Sequence, residues 1–112
     1  MVSEMLTMRQ FEASKSLARS MWREARLAAA GAPENVIKLE CRLQGERRSK
    51  ALRAGCDEEI IRAAIFLQIL KNGVVFEKEN LAMRDLMHRA AKELFRRHGI
   101  DAWFVVDAVF RR

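Results

Sequence analysis

Apolar and polar positions divide this chain into five segments with a helical period, each bounded by its own start and stop signals. Thr7 followed three residues later by Gln10 has the form of a capping box, and Leu6 with Phe11 is placed as its hydrophobic staple. The first helix is therefore expected to begin at Met8, run into the Ala28 to Ala30 cluster and stop at Gly31. Pro33 then stands as the first residue of a second helix that ends at Gly55. Asp57, Glu58 and Glu59 give a third helix an N-cap and two carboxylates at its positive dipole end, and Asn72 with Gly73 is expected to close it. A fourth helix starts between Val75 and Leu81 and finishes on Arg96, Arg97 and His98, just before Gly99. The last segment, Asp101 to Phe110, is rich in valine and aromatic residues, which favour a strand. No other run supplies a convincing strand partner, so a short helix capped by Asp101 is expected, with Trp103, Val106 and Phe110 on one face.

The third segment contains the run Ile60 to Leu70, IIRAAIFLQIL, in which only Arg62 and Gln68 are polar. Such a helix needs cover on every side, and it is far shorter than the roughly 20 apolar residues that cross a bilayer. The cover must come from other helices. The expected fold is all-α: one domain over residues 1–112, a compact five-helix bundle with a long N-terminal hairpin and the apolar third helix at its centre. The fourth helix would pack its Met83, Leu86, Met87, Ala90 and Leu94 stripe on the third. On the first helix the apolar arc is Phe11, Ser14, Leu17, Ala18, Met21, Trp22, Ala25 and Ala28. Its small members would admit a second helix at close range, either within the chain or across a homodimer seam.

Composition narrows the class. A chain of 112 residues can bury a core without disulfide or metal, and its 50% hydrophobic and 32% charged residues are ordinary for a globular protein. Cys41 and Cys56 read as buried, reduced thiols. With no signal-peptide pattern at the N-terminus, the expected compartment is the cytoplasm and no membrane partner is expected. Catalytic chemistry is thin: His88 and His98 are the only histidines, and no Cys/His pair has metal-ligand spacing. Asp85 and His88 are three apart on the fourth helix but lie at the edge of its polar arc, which suits a surface salt-linked histidine, and His98 suits a helix-end cation. No enzyme activity, cofactor or metal is expected.

Charge is where function shows. The formal net charge is +6, and residues 1–56 hold 11 Lys and Arg against 6 Glu, whereas residues 57–112 hold 10 against 9 acidic groups. Lys15, Arg19, Arg23 and Arg26 fall on one stripe of the first helix, bordered by Trp22 and Phe11. The leading expectation is a non-catalytic interaction protein, a regulator, adaptor or inhibitor, that presents this basic hairpin to a macromolecular partner, an acidic protein being one candidate, through Lys15, Arg19, Trp22, Arg23 and Arg26. The alternative is a small nucleic-acid-binding protein contacting phosphates through arginines of both helices, with Arg42, Arg47, Arg48 and Lys50 of the second. A helix-turn-helix reader does not fit, because the segment VVFEKENL at its reading end carries two Glu against one Lys.

Overall fold

The computed structural model describes residues 6–75 and 81–110. They form five helices, α1 (Met8–Ala29), α2 (Glu34–Arg53), α3 (Glu58–Val75), α4 (Leu81–His98) and α5 (Trp103–Phe110), and no strand among the described residues. The all-helical bundle and its N-terminal hairpin are as expected. Residues 76–80, most of the VVFEKENL segment, lie outside the described residues, so the fourth helix is seen from Leu81 onward.

Local chemistry sets the helix ends. Thr7 Oγ1 accepts from the Gln10 amide at 3.0 Å, and Gln10 Oε1 accepts from the Thr7 amide at 3.1 Å, which completes the capping box. At the other end, the Gly31 amide donates to Ala28 and the Ala32 amide to Leu27. This Schellman closure is permitted by the positive φ of 75° at Gly31. The same pair of bonds, from Gly55 to Leu52 and from Cys56 to Ala51, ends α2. Pro33 is extended, with φ −58° and ψ 148°, and stands as the residue before α2 rather than its first member. Asp57 Oδ1 accepts from the Ile60 amide and Asp101 Oδ1 from the Trp103 amide, so both expected aspartate caps form.

The centre of the bundle belongs to α1, not to α3. α2, α3 and α4 each pack against α1, and α5 closes the gap between α3 and α4. Along α1, Leu17, Ala18, Ser20, Met21, Trp22, Glu24 and Ala25 are all buried, leaving Arg19 and Arg23 as the exposed members of that stretch. The stripe of α4, with Met87, Ala90 and Leu94 buried, meets α1 and α5 instead of α3. α3 buries Ile61, Ile65 and Ile69, yet leaves Leu67 and Leu70 exposed. It is covered on fewer sides than its composition suggests. In α5, Val106 and Phe110 are fully buried as expected, whereas Trp103 is partly exposed and sets its ring edge-on to His88 at 4.7 Å.

Gly73 differs most from its expected role. It does not end α3 but lies inside it, buried, where a Cβ would fall only 1.9 Å from Val109 Cγ1 of α5. The residue lets two helices approach, and Phe66 against Phe104 at 5.4 Å marks the same seam. Gly73→Ala is expected to destabilise the fold by about 1–3 kcal/mol, an overpacking cost, although alanine is the better helix former. Combining it with Val109→Ala should recover part of that loss. Urea denaturation of the two single variants and the double variant measures this coupling.

Candidate partner-binding groove

The seam between α1 and α2 is polar, and that decides which way α2 faces. Ser20 and Glu24 of α1 are buried, as are Glu40 and Gln44 of α2. Glu24 Oε1 accepts from Gln44 Nε2 at 2.7 Å and from His98 Nε2 at 3.0 Å, while Oε2 accepts from Arg97 Nη1 at 3.0 Å and from the Cys41 thiol at 3.5 Å. Burial alone would raise this carboxyl's pKa. The hydrogen bonds from His98 and Gln44 and the charge of His98 outweigh that, and hold it at about 2. Glu40 is bound similarly, taking a 2.6 Å hydrogen bond from Ser20 Oγ and ion pairs from Arg23 and Arg47 at 3.3 and 3.6 Å.

With Glu40, Gln44 and Ala51 buried against α1, the larger apolar residues of α2 fall to one side of that contact rather than within it. Val36, Leu39 and Leu43, at spacings of three and four, are 38%, 54% and 37% exposed. They form one wall of an open groove of about 460 Å³, whose other wall is Arg19, Arg23, Arg26 and Leu27 of α1. Arg23, Arg26 and Leu27 also line a neighbouring depression bounded by Met83, Leu86 and Met87 of α4. The surface is thus an apolar bed beside a row of cations. Arg26 is half-buried among them, and burial together with the charge of Arg23 pushes its pKa below the usual arginine value. Its Nε is fully covered and has no acceptor among the described residues.

Of the five residues expected to meet a partner, Arg19, Arg23 and Arg26 gather in this groove. Lys15 does not, standing over the Phe11 ring at 5.5 Å and lining a separate groove toward α3. Trp22 is corrected outright: it has no accessible surface, and its indole Nε1 donates to Asn72 Oδ1 of α3 at 2.5 Å, so it is a core residue. Of the set assigned to phosphates, Arg47 enters the groove and Arg48 turns its Nη2 toward Met21 Sδ at 3.7 Å. Arg42 and Lys50 remain exposed elsewhere on α2. Val36, Leu39 and Leu43 went unread as site residues. Their signal was the placement of Glu40 and Gln44 one turn apart, opposite Ser20 and Glu24.

Both histidines are tied to carboxylates. His88 is linked to Asp107 at 3.6 Å, not to Asp85, which pairs with Arg89 at 3.0 Å. His98 is more than a helix-end cation, since it reaches Glu24. Cys56 is buried as expected, but Cys41 lies on the exposed side of α2; partial burial and the carboxylate of Glu24 push its thiol pKa up. Among the described residues no group of three or more His, Cys, Asp or Glu is placed to hold a metal ion, and no helix is long and apolar enough to cross a membrane. No family model, curated protein or solved structure matches the chain.

Because the Glu24 carboxyl titrates lower in the folded chain than its ordinary 4.5, its stabilising contribution is complete above pH 4.5 and drains away as the pH falls toward 2. The loss should amount to about 2–3 kcal/mol. Glu93, held below its usual value first by its hydrogen bond from Arg96 and also by Arg97, adds to the loss in the same direction. Urea unfolding measured from pH 6 to pH 2 should show this fall, and Glu24→Gln should flatten most of it.

Proposed function

We propose that this chain is a non-catalytic interaction protein, acting as a regulator, adaptor or inhibitor, that receives an acidic amphipathic helix of a protein partner in the groove between α1 and α2. The observation that carries this reading is the open apolar row Val36, Leu39 and Leu43 lying beside Arg26, whose covered Nε lacks an acceptor among the described residues. An amphipathic helix supplies both complements: apolar side chains for the bed and carboxylates for Arg19, Arg23 and Arg26. The cations would accelerate encounter, and the leucines would set the residence time. Trp22 has no part in that contact.

Phosphate binding is the competing reading, and it makes no use of the leucines. A test uses an acidic helical peptide with leucines at i, i+3 and i+7 as the probe, alongside a random DNA duplex at two salt concentrations. Arg19→Glu should slow peptide association several-fold and reduce its salt dependence, because Arg19 is an exposed charge on the groove's rim. Leu39→Ala should speed dissociation by about tenfold. Duplex binding that collapses as salt rises and ignores Leu39→Ala would assign the surface to phosphates and overturn the reading.

A further inference from the structure

A second apolar surface lies along α3. Ile60, Ala63, Ala64 and Leu67 recur at one helical face and, with Phe11 of α1, line an open groove of about 620 Å³. Leu67 is 59% exposed and Phe11 41%, an unusual state for neighbouring large apolar residues. Charges mark the two ends of this face: Asp57 and Glu59 stand at its N-terminal end and Lys71 at its C-terminal end, and all three line the groove.

We infer that this face is a twofold interface joining two copies of the chain through antiparallel α3 helices. The order along the face is acidic, large, small, small, large, basic, and it is complementary to its own reverse. Setting Ala63 opposite Ala64 of a second copy places Ile60 against Leu67 of that copy. The same register brings Lys71 next to the second copy's Asp57 and within one helical turn of its Glu59, at both ends of the contact. The alanines at the axis let the backbones come close, and the flanking isoleucine and leucine cover each other. A foreign helix would need no such symmetry in the face that receives it. This inference stands apart from the acidic-partner reading, which concerns the α1–α2 groove, and it is tested without any partner present.

Sedimentation velocity of the full chain over a range of concentrations should show a monomer–dimer equilibrium. Leu67→Glu should weaken it by at least about tenfold while leaving helical content unchanged, since Leu67 is exposed in the single chain. Glu59→Lys and Lys71→Glu should each weaken it as well, by setting like charges together, and the double variant E59K/K71E should associate better than either single variant. A chain that stays monomeric, a dimer indifferent to Leu67→Glu, or a double variant no better than the single ones would overturn the inference. So would a monomer whose α3 face binds an added amphipathic peptide with Leu67 as the anchor, which would make the occupant a different protein.

Discussion

The carboxylate of Glu24 is the constraint from which the arrangement of the bundle follows. It lies in the C-terminal half of the central helix with only 3% of its side chain exposed, so it must be supplied with donors from every neighbour it meets. Gln44 and Cys41 come from α2, and Arg97 and His98 from the last turn of α4. Four groups on two helices therefore have to converge on one pair of oxygens, and that convergence fixes the facing of α2 and the depth at which α4 ends. Arg97 is in turn held by Glu93, and hydrogen bonding to Glu93 and Glu24 raises its pKa despite its partial burial.

Magnitudes explain why this polar cluster prevails over the burial of leucines. Turning Leu39 or Leu43 outward forfeits at most about 1.5–3 kcal/mol of transfer free energy each, and less where the side chain is still partly covered. Leaving a buried carboxylate without its partners costs about 3–5 kcal/mol, and Glu40 with Ser20 would add a second unpaired site. A hairpin with α2 rotated to bury its leucines would incur the larger cost twice. The observed hairpin accepts the smaller one, and the exposed row on α2 is the consequence.

Much of the fold was legible in the chain. The capping box at Thr7 and Gln10, the glycine stops at Gly31 and Gly55 and the aspartate caps at Asp57 and Asp101 are local devices, each involving residues a few positions apart, and they appear as read. What failed to show was non-local. Gly73 has the composition of a helix stop, and only the position of Val109 reveals that it is a contact point. Trp22 borders a basic stripe in projection, but Arg19 and Arg23 of the stripe are exposed and the indole is not, because α3 supplies Asn72 from fifty residues away. Glu24 looked like one more acid interleaved among arginines. It follows Leu17 by seven residues and Ser20 by four, on the inward side of α1, and that spacing was the available clue to its burial.

The candidate site was legible by half for the same reason. Arg19, Arg23 and Arg26 share a helix, so their alignment could be computed from the period alone, whereas the apolar wall opposite them depends on how a different helix is rotated. The inversion also accounts for the position of α3. A helix as apolar as Ile60 to Leu70 has no group that must be satisfied, so an incomplete jacket costs it only transfer free energy and leaves nothing unpaired. α1 has no such latitude: its Ser20 and Glu24, once buried, require neighbours on several sides at once. The polar helix therefore holds the centre, the greasy one is displaced toward the edge, and the two open apolar faces of the molecule lie on either side of Gln68, which borders both grooves.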